Sequence, residues 1–175
     1  AAKQVHDQNM SLSQGALAAL NHCDHPARAI ALQAFHDRWQ DSPLVMEKWF
    51  MMESMSLVSG TVARLGELMA HPAFDANNPN KLRSVLGAFM TGNPVHFYAE
   101  DGSGFDFIGD CLIDIDARNP QLAARMALPL TRRTQYAPAR RAKMGAVLQK
   151  LQQQAQSNDL REVIDKALAD GPSPV

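Results

Sequence analysis

Apolar residues recur along this chain at intervals of three and four, in short runs that are closely punctuated. β-Branched residues are sparse while Ala, Leu, Met and Gln abound, so the pattern reads as helix almost throughout. Ser11 or Ser13 is placed to cap a first helix carrying Leu12, Leu17 and Leu20 and ending near Asn21. Pro26 opens a second, with Ile30, Phe35 and Trp39 on its apolar side and His36 and Arg38 outward. Ser42-Pro43 starts a third whose apolar surface is broad: Leu44, Val45, Trp49, Phe50 and Met52. Gly60-Thr61 begins a fourth that runs through Met69 and stops at His71-Pro72.

Three Asn-Pro dipeptides, at Asn78, Asn93 and Asn119, punctuate the stretch from Asn78 to Leu130. Each sets a capping side chain before a residue that lacks an N–H and has its φ preset, which is how a helix starts. They predict a helix after Pro79, a short turn after Pro94 and a helix from Pro120 until Pro129, with a further helix after Gly104 between them. Pro138 begins a long helix with Met144, Val147, Leu148 and Leu151 inward, and a last one covers Asp159 to Leu168. Residues 1–9 and 170–175 are expected to fray. Short helices joined by short connections pack antiparallel with their neighbours. The expected fold is therefore all-α, one domain over 1–175, with stacked helix pairs in a HEAT- or armadillo-like superhelix. No self-similar sequence period accompanies it.

Composition narrows the function. With 46% apolar and 20% charged residues and a net charge of −1, this is a globular chain without the basic balance that binds nucleic acid. No apolar run approaches a membrane span, and no charged-then-apolar leader is visible. The two cysteines, Cys23 and Cys111, form no disulfide framework and read as small buried hydrophobes in a reducing compartment. Cytoplasm is the expected location. A start without Met that enters a helical pattern almost at once fits a segment cut from a longer protein, and fits a processed or trimmed start as well.

Candidate chemistry is thin. No HExxH and no His pair at zinc-ligand spacing is present, so no metal site and no catalytic residue is expected. His22, Cys23, Asp24 and His25 read as an inter-helix turn, with Asp24 capping the helix that begins near Pro26. Asp106, Asp110 and Asp114 share one helix face, either as a solvated stripe or, if buried, against Arg83 or Arg118. Gly102-Ser103-Gly104 is a tight turn and lacks the pattern of a phosphate loop. Lys81 and Arg83 fall in a first helical turn, against the positive end of the macrodipole, and need an acid or an anionic ligand as partner. Gln121 and Arg125, four apart, share a face; they either hold a carboxylate or peptide carbonyl, or are a salt bridge beside a surface Gln.

The segments NPNKLRSVLGAF, YAEDGSGFDFIGD and ARNPQLAARM closely resemble the C-terminal helical domain of bacterial aminopeptidase N. That family comprises zinc-dependent alanyl aminopeptidases of the gluzincin type, and the likeness continues through PLVMEKWF and RRTQYAPARRAKM. The resemblance implies that Arg83, Gln121 and Arg125 look into a closed chamber over the zinc site and form pockets for residues beyond the scissile bond. It makes Lys81 part of an electropositive wall, and His96, Tyr98, Glu100 and Asp101 candidates for the entrance. It implies a parent enzyme that removes N-terminal residues, with preference for Ala and basic ones. Its zinc would be held by an HExxH motif and a distant Glu, none of which lies here. The partners would be the upstream catalytic domains of the same chain and peptide substrates. Cutting such a stack leaves the Leu12, Leu17 and Leu20 side under-buried. The alternative is a free-standing helical-repeat scaffold that binds a partner peptide, its clustered Met51, Met52 and Met55 forming an adaptable surface. A small enzyme built on the acidic stripe is a third class.

Overall fold

The computed structural model describes residues 4, 5, 7 and 9–169. Within them the chain is helical and groups into two compact units, Ala1–Asn93 and Pro94–Val175. No helix among the described residues is long and apolar enough to cross a membrane.

The first unit holds α1 (Met10–Leu20), α2 (Pro26–Trp39), α3 (Pro43–Ser54), α4 (Thr61–Met69), α5 (Pro79–Leu82) and α6 (Ala88–Gly92). A π-helical turn, Arg83–Gly87, carries α5 into α6 without a break. Helix α3 is the hub, packing against α2, α4, α5, α6 and the π turn. Its Val45, Met46, Trp49, Phe50 and Met52 are buried. Ile30 and Leu44, expected inward, are 67% and 71% exposed. Each lies five residues before the aromatic that does face the core, Phe35 or Trp49, and is thus about 140° round the helix from it.

Helix starts follow the Pro and Asn signals, with local reassignments. Asn9 rather than Ser11 or Ser13 caps α1, accepting from the N–H groups of Ser11 and Leu12. His25 rather than Asp24 caps α2, its Nδ1 accepting from Ala27 N at 3.0 Å. Asn9 precedes Ser11 and Ser13, which lie inside the helix, and His25 directly follows Asp24; in each case another acceptor reaches the free N–H groups. Helix α4 begins at Gly60, whose φ of 81° suits glycine. In α1, Leu17 is fully buried while Leu12 is 56% exposed, so the under-burial expected of that side holds only at its edge. In the stretch expected to fray, Val5 is buried and its carbonyl accepts from Ser13 Oγ at 2.5 Å. Arg38 Nη1 also donates to Asp7 O at 2.8 Å; residues 1–3, 6, 8 and 170–175 lie outside the described residues. Cys23 is exposed, not a buried hydrophobe, because it stands in the turn between α1 and α2.

His36, expected outward, is turned inward between α2 and the segment after α4. Its ring lies 5.0 Å from that of Trp49, and its Nε2 is 3.1 Å from Nε2 of His71. His71 Nδ1 accepts from Ala73 N at 3.1 Å, so its proton is on Nε2 and is donated to His36. His36 Nδ1–H then donates to Asp37 Oδ1 at 3.1 Å.

The second unit holds α7 (Pro94–Phe97), α8 (Ser103–Asp116), α9 (Pro120–Thr131), a 3₁₀ turn (Arg132–Gln135), α10 (Pro138–Gln154) and α11 (Asn158–Ala169). Here α9 is the hub, against α8, α10 and α11. Helix α8 starts at Gly102, φ 83°, and Asp101 braces the turn by accepting from Ser103 N at 2.9 Å and Ser103 Oγ at 2.8 Å. Those bonds hold the Asp101 carboxyl below the usual carboxylate range. A Cβ on Gly104 would lie 2.4 Å from His96 O, so α7 and α8 meet backbone to backbone there. Met144, Val147, Leu148 and Leu151 of α10 are buried as expected. Helix α9 runs on through Pro129, expected to end it, because a proline in the last turn costs only one intrahelical bond.

Asp106, Asp110 and Asp114 are exposed, and Asp110 pairs with Lys150 rather than Arg83 or Arg118. The buried acid of this unit is Asp116. It accepts from Gln156 N at 2.7 Å, Ser157 N at 3.0 Å and Ser157 Oγ, and Ser157 Oγ in turn accepts from Leu160 N at 3.1 Å. One carboxylate thus holds the α10–α11 turn.

Asp116→Ala should lower unfolding free energy by about 1–3 kcal/mol, because buried donors lose their acceptor; urea denaturation measures it, and Asp114→Ala on the exposed stripe should change it by less than about 0.5 kcal/mol. His71 titrates below 6.5, chiefly through burial and then the nearby charges of His36, Arg64 and Lys81. The unfolded chain therefore takes up the proton first, and this stabilisation is fully present above pH 6.5 and is lost as pH falls through the depressed value. Urea unfolding at pH 7.5 and 5.5 should show the loss, and His71→Gln should shrink it; an undiminished difference would put the titration elsewhere.

Candidate functional site

Asn119 Oδ1 accepts from Leu122 N at 3.1 Å and Pro120 occupies the first turn, which fixes where α9 starts and which way it faces. Leu122, Ala123, Met126, Ala127 and Leu130 are buried. Gln121 and Arg125 are thereby carried one turn apart on the opposite, exposed face. Among the described residues Arg125 makes no ion pair, so the salt-bridge alternative is not what the side chain does. A guanidinium beside an amide, both in solvent, offers planar donors and an acceptor to a carboxylate or a peptide group.

Arg83 belongs to the other unit, as the first residue of the π turn. It is exposed, and its Nη1 donates to Asn80 Oδ1 at 3.2 Å. It borders an apolar groove of 680 Å³ with Leu44, Val45, Met51 and the charged Glu47 and Lys48. Wide turns of this kind recur at functional sites, since they displace one side chain from the ordinary helical register.

Lys81 does not join a positive wall. It is 6% exposed, donates to Pro43 O at 3.3 Å, and lies 5.3 Å from the centre of the Phe50 ring. A carbonyl and an aromatic face take the place of the acid or anionic ligand that its position called for. Of the entrance candidates, Tyr98 stacks on Tyr136 at 4.7 Å, and burial and its hydrogen bond to Tyr136 push its hydroxyl up to about 12. Asp101 is occupied by the α8 turn; Glu100 is exposed.

Two buried acids escaped the sequence reading. Glu53 is 4% exposed and accepts from Arg28 Nη2 at 3.2 Å and Arg64 Nη2 at 2.9 Å, beside Trp49. Asp116 is the other. Glu53 is three and four residues after Phe50 and Trp49, and Asp116 is four and eight after Leu112 and Ile108. A charge recurring at the apolar spacing was the available signal in both. Neither is arranged for chemistry, because every acceptor is spent on structure. No group of three or more His, Cys, Asp or Glu that could hold a metal occurs among the described residues, so the residues present do not fit a zinc ion.

Comparison with known proteins agrees with the all-helical architecture. Residues 1–169 match the family described as a domain of unknown function (DUF3458_C) with ARM repeats. Aminopeptidase N of Escherichia coli K12 is 40% identical over 169 residues, covering 95% of this chain and 19% of that protein. Aminopeptidase N of Haemophilus influenzae is 37% identical over 169 residues, 94% of this chain and 19% of that protein. A solved structure of Legionella pneumophila aminopeptidase A in complex with aspartic acid superposes with a TM-score of 0.92 at 30% identity, over 97% of this chain and 20% of its own. The chain thus spans about a fifth of the length of the relatives it matches, and it belongs to the DUF3458_C ARM-repeat family.

Proposed function

We propose that this chain is the non-catalytic helical domain of a zinc aminopeptidase. It closes the chamber over the active site, restricts entry to peptides, and supplies groups that hold residues beyond the scissile bond. Zinc, when bound in the parent, polarises the scissile carbonyl and activates water; its ligands belong to the upstream catalytic domains, which are this domain's partners. The peptide's N-terminal residue is what the parent removes, and cytoplasm is where it acts, consistent with an exposed free thiol at Cys23.

The observation that carries this reading is the exposed Gln121–Arg125 pair, set on the family fold without an internal ion partner for Arg125. Arg125 would take a carboxylate or carbonyl of the substrate's C-terminal side, and Gln121 would bond its backbone.

In the full-length parent, Arg125→Ala should lower kcat/KM for dipeptides and tripeptides by about 10–100-fold, the loss of one charge-assisted hydrogen bond. Hydrolysis of a single-residue alanyl amide should change by less than about threefold. Equal losses on both substrate types would remove the pocket role.

A further inference from the structure

We propose that the outward face of α9 is a docking strip for two carboxylates of an extended peptide, with Leu128 and Arg132 completing what Gln121 and Arg125 begin. It rests on the reading above only in taking the peptide to be a substrate.

Gln121, Arg125 and Leu128 of α9 and Arg132, the first residue of the 3₁₀ turn that follows it, stand at intervals of four, three and four, so they fall within about 60° of each other round the helix axis. All four are exposed, Leu128 by 49%. Charge is lopsided here: between Asp116 and Asp159 stand eight basic residues and no acid. Most of those cations are committed. Arg133 donates to the carbonyls of Ala167 and Leu168, Arg140 to Tyr98 O, Arg141 to Thr134 O and Tyr136 O, Lys143 to Asp101 O, and Lys150 to Asp110. Arg118, Arg125 and Arg132 have no such partner among the described residues, and of these Arg125 and Arg132 share a side of the helix axis. Between them Leu128 borders a groove of 370 Å³ shared with Thr131, Val163 and Ala167 and with the charged Glu162 and Lys166.

Spacing sets the occupant. Seven residues separate the two arginines, about 10 Å along the helix, which matches about three residues of extended chain at roughly 3.3 Å each. The ligand is therefore a peptide with carboxylates three residues apart, such as an acidic side chain and the free C-terminus, and an apolar residue between them against Leu128. Either contact alone, in solvent, contributes about 0–1 kcal/mol; the second is strengthened because the first holds the peptide in place.

The probe is acetyl-Ala-Glu-Leu-Ala-Ala with a free C-terminus, against its Gln-substituted, C-terminally amidated counterpart, titrated into this chain and followed by amide NMR shifts. Shifts should centre on residues 121–132, and the dicarboxylate should bind at least tenfold more tightly than the neutral peptide. Arg125→Ala and Arg132→Ala should each remove most of that preference, while Lys143→Ala, the same charge loss on α10, should cost less than twofold. Equal binding of both peptides, no binding, shifts elsewhere, or an equal effect of Lys143→Ala would each overturn the strip. Peptide binding at the strip alongside an Arg125→Ala parent with unaltered dipeptide turnover would sink only the pocket role in the enzyme; the converse would sink only the strip.

Discussion

Every helix leaves four N–H and four C=O groups without partners at its ends, and a chain built from segments this short meets that demand repeatedly. The fold depends on how it is met. Asn9, His25, Asn78 and Asn119 accept from first-turn N–H groups. At the other ends, Asn21 donates to Met52 O, Asn93 to Ser54 O and Ser56 O, and Arg133 to the last carbonyls of α11. Asp116 serves a whole turn. Satisfying these groups with side chains from neighbouring helices ties local termination to tertiary packing, so that a turn forms correctly only beside the helix that completes it.

The same demand explains where the charges went. Lys81, whose place in the sequence called for an acid or an anionic ligand, acts instead as a hydrogen-bond donor to a backbone carbonyl, and Arg133 does the same. Glu53 sits inside, with Arg28 and Arg64 drawn to it, and Arg28 also reaches Asn21 O at 2.9 Å. An ion buried with two counter-charges contributes little net stability but is costly to break. It fixes which faces of α2, α3 and α4 meet. Against this background, an exposed guanidinium with no carbonyl or carboxylate to serve is the departure, and among the described residues Arg118, Arg125 of α9 and Arg132 just beyond its end are of this kind.

Helix existence was legible because Asn-Pro, Ser-Pro and Gly-Thr starts carry local physics that packing did not need to override. The inward faces were legible where the apolar spacing was three or four, as in Met144, Val147, Leu148 and Leu151. They failed where five residues separated the apolar pair, as with Ile30 and Leu44. The pairing of His36 with His71 was invisible, since it joins residues thirty-five apart whose meeting depends on how α2 lies against the segment after α4. The candidate site divided similarly. Gln121 and Arg125 could be placed on one face by counting. Whether a cation faces solvent or core could not, and Lys81 and Arg83, two positions apart, took opposite fates.

Pro129 lies in the last turn of α9 and has no N–H to give to the carbonyl four residues before it, which is that of Arg125. The residue thus holds a charged donor at its tip and an acceptor, lacking its helical partner, at its root. The proline ring crowds that same carbonyl, so the last turn of α9 is loosened from within, at the residue that carries the exposed guanidinium, and not by any neighbouring helix.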